Sequence, residues 1–130
     1  MEKYVVRADT TPPADLSGTA FSHLDVRWLV NDIRNGAELT GIGQTIYPAD
    51  GGTHEQHRHP NAEETVIVMS GRGRHLVGDT WHDVGPGDVV FVPQMMWHGA
   101  ECVGDEDFVI LWVLGGAPSL EAAGYEPWVE

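Results

Sequence analysis

The sequence predicts an all-β domain, either a sandwich or a barrel. Short runs rich in β-branched and aromatic residues recur along most of the chain, and glycine, proline and aspartate separate them. No stretch keeps a helical period of hydrophobic residues over three turns. The 130 residues are enough for one domain with a hydrophobic core and too few for two of ordinary size.

Six strands are predicted, and turn sequences separate them. Pro-Ala-Asp-Gly-Gly follows the second strand, Ser-Gly-Arg-Gly joins the third to the fourth, Gly-Asp follows the fourth, and Gly-Pro-Gly-Asp precedes the fifth. A weak helical turn is predicted at residues 119–123. The predicted strands are residues 26–30, 38–47, 65–69, 74–77, 89–92 and 108–114.

The sixth predicted strand is apolar on both faces, so both faces must be covered. One face lines the interior, and the other needs a second sheet, a terminal segment or another subunit. The tail contains Leu120, Tyr125, Trp128 and Val129, and we expect it to pack on the outer face of the domain or on a partner subunit. For the same reason we expect a homodimer.

Charge and composition narrow the range of partners. Twenty acidic residues against seven basic ones give a formal net charge of −13, which disfavours nucleic acid and anionic membrane surfaces as partners. The first residues lack the apolar run of a secretory signal, and no stretch is apolar enough to span a bilayer. Cys102 is the only cysteine, which excludes an intramolecular disulfide. We expect a cytoplasmic protein.

A histidine pair is the most informative local feature. His57 and His59 are one residue apart in an extended segment, and side chains alternate along a strand, so both imidazoles point to the same face. A carboxylate from Glu63 or Glu64 and a third imidazole from His98 would complete a site of three nitrogens and one oxygen. Such a set suits one divalent transition metal, whether iron, manganese, zinc, nickel or copper, better than calcium or magnesium.

Two segments resemble the motifs of the cupin superfamily. The first motif requires two glycines, two histidines one residue apart and a glutamate, and the second requires a glycine, a proline and a histidine. The short segment between the motifs also has the length usual in that family. The matching residues are Gly51, His57, His59, Glu64 and Gly71 in the first motif and Gly87, Pro93 and His98 in the second.

The resemblance implies a single-domain cupin jelly-roll β-barrel with one metal inside it, bound by His57, His59, Glu64 and His98. The family spacing selects Glu64 over Glu63 as the carboxylate, and Glu64 is also the candidate catalytic residue. The core barrel is expected at residues 37–116. Residues 1–36 form an N-terminal segment and first strands packed on it, and residues 117–130 form the tail.

Several residues are candidates for contact with a small-molecule substrate. Met96 and Cys102 share the alternation of His98, and Gln44 or Thr45 can face the pocket, depending on which side of its strand points inward. His54 is a further candidate, although an exposed position is the simpler expectation for it. The remaining histidines, His23, His75 and His82, are expected to face solvent, whereas Trp28 and Trp112 are expected to be buried.

The predicted site suggests three functions. The first is a metal-dependent enzyme acting on a small oxygenated organic molecule, with a non-haem dioxygenase placed first. The second is a metal-dependent lyase, isomerase, decarboxylase or polyketide-type cyclase, in which a redox-silent ion polarises a carbonyl. The third is a non-catalytic module that binds a metal or a small molecule.

Overall fold

The computed structural model describes residues 3–129 and contains two five-stranded antiparallel sheets. The first sheet has the order β1-β2-β9-β4-β7 and the second the order β10-β3-β8-β5-β6. The strands are β1 (Asp25–Val30), β2 (Thr40–Tyr47), β3 (His57–Arg58), β4 (Glu63–Ser70), β5 (Gly73–Val77), β6 (Thr80–Val84), β7 (Val89–Val92), β8 (His98–Cys102), β9 (Phe108–Gly115) and β10 (Glu126–Pro127). The all-β prediction is confirmed.

All six predicted strands are present, and four further strands accompany them. The four are β3, β6, β8 and β10, which are short or contain glycine and polar residues in place of a β-branched run. The helices are α1 (Asp32–Asn35), α2 (Leu120–Ala123) and a 3₁₀ turn, Ala8–Thr10. In α2, the Ser119 hydroxyl caps the helix by accepting from the Ala122 amide at 3.1 Å. No helix within residues 3–129 has the length and apolarity to cross a membrane.

The core lies between the two sheets because inward and outward side chains alternate along the strands. In β4, Val66 and Val68 are buried with relative exposures of 0% and 1%. They pack in a large cluster that includes Phe108 and Ile110 of β9. A smaller cluster contains Ala62, Leu114, Ala117 and Ala123. Residues of both clusters line the cavity at the candidate site.

Gly43 of β2 makes room for a large ring inside the barrel. A Cβ atom at this position would lie 2.0 Å from Cζ2 of Trp112, so only glycine allows the indole to lie across β2. Trp112 in turn meets Trp28 edge-on, with 4.7 Å between ring centroids. Both indoles are half-buried rather than fully buried, because they border a cavity.

The tail differs from the prediction that it covers an outer face. β10 pairs with the edge strand β3, because β3 otherwise has a free edge on that side. Leu120 and Tyr125 then point toward the interior cavity, while Val129 remains 81% exposed. The outer face of the first sheet keeps exposed apolar residues, among them Met69, Val89 and Phe91.

Candidate metal centre and substrate cavity

The two sheets bring four potential metal ligands together. His57 of β3 pairs directly with His98 of β8, His59 follows β3, and Glu64 lies near the start of β4. One ligand atom from each of the four lies within 4.8 Å of the others, and all four side chains are buried. Glu63 is exposed, as alternation requires once Glu64 faces inward.

Backbone carbonyl groups fix the orientation of all three imidazoles. Nδ1 of His57 lies 3.0 Å from the oxygen of Glu55, Nδ1 of His59 lies 2.7 Å from the oxygen of Gly124, and Nδ1 of His98 lies 3.1 Å from the oxygen of Met96. Since a carbonyl oxygen only accepts, each Nδ1 must be the donor. In the neutral rings, each Nε2 therefore carries a free lone pair, which is the atom that a metal requires.

The carboxylate faces two of these nitrogen atoms. Oε1 of Glu64 lies 3.2 Å from Nε2 of His59 and 3.4 Å from Nε2 of His98. Lone pairs on both sides repel each other unless a proton or a metal cation lies between them. The donor set of three imidazoles and one carboxylate fits a divalent transition ion at this point.

The pKa values of these buried groups depend on the same contacts. Burial by itself would lower the pKa of His98, but the hydrogen bond and attraction from Glu64 outweigh it and raise that pKa. Burial would raise the pKa of Glu64, yet hydrogen bonds from His59 and His98 hold it well below its usual range. Burial, with the neighbouring imidazoles of His98 and His54, lowers the pKa of His57 to about 2. His57 is therefore neutral at every ordinary pH.

A cavity of about 150 Å³ opens onto this cluster. Its lining is predominantly apolar and aromatic, and among residues 3–129 Glu64 is the only acidic or basic residue apart from histidines that lines it. Among its apolar walls are Val26, Trp28, Tyr47, Ile110, Trp112 and Leu114.

The N-terminal and C-terminal segments border the same cavity. The Tyr125 ring stacks on the His57 imidazole, with 4.7 Å between centroids and 27° between planes. Phe21 lies edge-on to both rings, with 6.0 Å between its ring centroid and each of theirs. Leu16 and Leu120 complete this border. Access to the cluster therefore depends on side chains outside the core barrel.

The Cupin domain family matches residues 44–114, which include both histidine motifs and more than half of the chain. The chain belongs to the cupin family. No curated protein is similar enough to this cupin to count as a relative.

Solved structures share the fold at low sequence identity. An uncharacterised conserved protein with a double-stranded β-helix domain from Klebsiella pneumoniae is 18% identical, with 99% of this chain and 100% of that chain covered and a TM-score of 0.77. The polyketide cyclase RemF from Streptomyces resistomycificus is 20% identical, with 100% and 87% covered and a TM-score of 0.77. A predicted oxalate decarboxylase from Thermotoga maritima is 20% identical, with 86% and 98% covered and a TM-score of 0.74.

Only some of the substrate candidates line the cavity of this cupin. On β2, Thr45 faces inward and is 5% exposed, so Gln44 faces the outer side and is excluded from the cavity. The Thr45 hydroxyl accepts a hydrogen bond from Nε1 of Trp112 at 2.9 Å. Met96 and Cys102 pack in the core and do not line the cavity, although the Met96 carbonyl orients His98. Of the two candidates on β2, Thr45 therefore lines the cavity and Gln44 does not.

Two further histidines lie at the cavity: His54, which was a substrate candidate although exposure was the simpler expectation, and His75, which was expected to face solvent. His54 is half-buried, and its ring centroid is 4.8 Å from that of His57, because the chain bends after the Gly52 turn and bridges to β8. His75 is 1% exposed and lines the cavity from β5. Alternation could have found His75, since the neighbouring Arg74 must face outward. His23 and His82 are exposed, as expected.

Proposed function

We propose that this cupin is a metal-dependent enzyme acting on a small, oxygenated and largely apolar organic molecule. The observation that carries this proposal is the convergence of three oriented Nε2 atoms with Glu64, and three of these four residues, His57, His59 and Glu64, line an apolar cavity. A purely structural metal would not need an adjoining cavity. The resident ion would be a divalent transition metal, namely iron, manganese, zinc, nickel or copper.

The charge of the site suits an anionic oxygen of the substrate. Three neutral imidazoles and one carboxylate leave a divalent ion with one net positive charge, so the bound ion supplies Lewis-acid polarisation to an enolate, phenolate or carboxylate oxygen. Four protein ligands leave two positions free on an octahedral ion. The chain holds the oxygen-bearing end of the substrate at His57, His59, Glu64 and His98, and the apolar walls hold the remainder.

The lining also restricts the substrate class. In the part of the chain that the structure describes, no lysine or arginine lines the cavity, so a second carboxylate on the substrate would find no lysine or arginine partner there. The rings of Trp28, Tyr47 and Trp112 instead provide surfaces for a planar or aromatic molecule. We therefore favour a phenol, an enol or a related compound over a dicarboxylic acid.

Oxidative cleavage by dioxygen is the first candidate reaction. The apolar cavity accommodates dioxygen as well as the organic substrate, and a dioxygenase incorporates both oxygen atoms without an external reductant. The cupin would bind the substrate as its enolate or phenolate, which is the electron-rich form that dioxygen oxidises. Tyr125 and Phe21 would limit the access of water at the border of the cavity.

Redox-neutral chemistry is the second candidate, and His75 is its candidate proton acceptor by position. A lyase, isomerase, decarboxylase or cyclase needs a group that accepts a proton from a carbon next to a carbonyl. Burial lowers the pKa of His75 to about 4, so this imidazole is neutral at pH 7 and has a free lone pair, although it is a weaker base than an exposed histidine. His75 lines the same cavity as His57, His59 and Glu64.

Oxygen uptake separates the two reactions. The protein is loaded with iron(II) or manganese, its metal content is measured, and it is mixed with catechols and enols in an oxygen electrode and, in parallel, under argon. One dioxygen consumed per substrate, with no turnover under argon, is the expected result. Equal turnover under argon would replace the first reaction with the second. Failure to retain any transition ion would overturn the proposed function.

A further inference from the structure

His75 is a buried polar side chain without a protein partner. It is 1% exposed, and neither Nδ1 nor Nε2 forms a hydrogen bond within residues 3–129. Buried polar side chains in folded proteins nearly always have a hydrogen-bond partner, so such a group needs an explanation. His54 does not pose the same problem, because its Nδ1 pairs with the Glu55 carbonyl at 2.7 Å and its side chain is half-exposed.

His75 lies near the four candidate metal ligands that form the metal cluster, His57, His59, Glu64 and His98. On β5 it pairs with Ala100 of β8, so His98 is its diagonal neighbour across the sheet. Diagonal neighbours lie roughly 7–8 Å apart, with their Cβ atoms somewhat closer, which is within reach of aromatic side chains. A molecule that binds the cluster through one atom would therefore place a second atom, a few bonds away, within reach of the His75 ring.

The size and charge of the cavity define what such a molecule is. An engineered apolar cavity of about 150 Å³ binds benzene, so the cavity here, also about 150 Å³, accommodates a single ring. The Thr45 hydroxyl already accepts a hydrogen bond from Trp112, whereas both ring nitrogens of the buried His75 are free within residues 3–129. A neutral imidazole has one donor and one acceptor, which match a hydroxyl or carbonyl oxygen.

We infer that His75 is a positioning residue that binds a second, uncharged oxygen of a single-ring substrate whose first oxygen is held at the metal cluster. The inference rests on the proposed function and adds the substrate class to it: monocyclic compounds with two oxygen functions. A carboxylate in the second position is excluded, because it would be buried near Glu64 with no cation beside it.

Binding of simple phenols tests this inference without turnover. The zinc-loaded protein is titrated by calorimetry with phenol and with the 1,2-, 1,3- and 1,4-dihydroxybenzenes. One added hydrogen bond corresponds to about a tenfold gain in affinity, so at least one dihydroxybenzene should bind about tenfold more tightly than phenol. In His75→Leu this preference should disappear while phenol affinity and zinc content stay unchanged. His75→Gln, which can donate and accept, should restore part of it.

The control variant is His82→Leu, because His82 pairs with His75 across β5 and β6 but is exposed. It should keep the full preference. A preference that survives in His75→Leu, or an absence of preference in a wild-type protein that binds zinc and phenol, would overturn the inference alone. A wild-type protein that binds no zinc or no phenol would overturn the proposed function as well. Circular dichroism of each variant verifies that it is folded.

Discussion

The carbonyl oxygen of Gly124 accepts a hydrogen bond from Nδ1 of His59 at 2.7 Å, which makes the C-terminal segment part of the candidate metal centre. Gly124 has a φ of 79°, and a Cβ atom there would lie 2.8 Å from Cδ of Pro60. Glycine therefore allows both the backbone conformation and the close approach to the segment that carries His59.

Gly124→Ala should weaken metal binding. The added methyl group moves the segment away from Pro60 and lengthens the hydrogen bond that orients His59. Loss of such an outer hydrogen bond commonly costs about 10- to 100-fold in metal affinity. Competition titration of zinc against a chromogenic chelator measures the change. Gly87→Ala is the control, because Gly87 has a φ of 89° with no atom within 4 Å of a Cβ. Equal losses in both variants would contradict the prediction.

Substitution of the two adjacent glutamates distinguishes the ligand from its neighbour. Glu64→Gln removes the negative charge at the cluster, so metal affinity should fall at least tenfold and activity should fall further. Glu63→Gln changes an exposed side chain and should leave both unchanged. His57→Ala and His98→Ala should remove most of the bound metal. Elemental analysis and oxygen uptake measure these effects, and a larger effect of Glu63→Gln would show that the carboxylate assignment is wrong.

The metal-free protein should lose stability as the pH falls from 6.5 to about 4. The pKa of His75 is lowered from 6.5 to about 4, chiefly by burial and with His54, His98 and His82 adding to it, while Glu64 opposes the change. In this range the unfolded chain binds a proton that the folded one does not, so stability decreases with falling pH. The shift corresponds to about 3 kcal/mol for this group.

Urea unfolding at several pH values measures this dependence. In His75→Leu, the loss of stability between pH 6.5 and 4 should be smaller than in wild type by about 3 kcal/mol. His82→Leu should keep most of the dependence, because His82 is exposed. An identical pH profile in wild type and His75→Leu would mean that the folded protein protonates His75 freely.

Gly43→Ala should destabilise the protein and reduce the cavity. The methyl group would overlap the six-membered ring of Trp112, which must then turn and lose its hydrogen bond to Thr45. Overpacking of this kind costs about 1–3 kcal/mol. Gly115→Ala on β9 is the matched control, since its nearest neighbour would be 3.5 Å away. Thermal unfolding compares the two variants, and equal midpoints would contradict the prediction.

Homodimerisation stays a prediction, and the outer face of the first sheet is where it can be tested. Val89 and Phe91 on β7 are 62% and 53% exposed, beside Met69 of β4, which is 51% exposed. Exposed apolar patches of this kind commonly mark interfaces. Phe91→Glu should therefore convert a dimer into a monomer in sedimentation experiments. Ile33→Glu, at an exposed residue of α1, should have no such effect. A monomeric wild-type protein would contradict the prediction.

The sequence was sufficient to group the candidate ligands His57, His59, Glu64 and His98, but it was not sufficient to predict the cavity beside them. The ligands follow from alternation and motif spacing, and both are local properties. On β2 the apolar residues Ile42 and Ile46 face the outer side, while inward positions hold Gly43 and Thr45 along with Tyr47. The residues of β2 alone therefore do not indicate which face points inward, because Trp112 from another strand fills the space beside Gly43. Only tertiary pairing shows this.

The unexpected placement of the C-terminal segment has the same origin. Apolar side chains at Leu120 and Tyr125 indicated that the segment packs, but its partner is the edge of β3 rather than an outer face. Edge pairing depends on which strand remains uncovered, which is a property of the assembled sheets. His54 likewise faces the cavity because of a bend near Gly52 that alternation within a strand does not describe.

The attachment of β10 has a kinetic consequence. Within residues 3–129, two residue pairs join β10 to β3, the Arg58–Glu126 ion pair and a hydrogen bond from the Trp128 amide to the Gln56 carbonyl reinforce them, and the element follows the Tyr125 ring that covers His57. Short elements at the edge of a sheet open more often than the core of a domain. Exchange of a bound ion would then proceed at the rate at which β10 and the preceding Tyr125 detach from β3. Ion release and unfolding of the whole barrel would therefore be separate events.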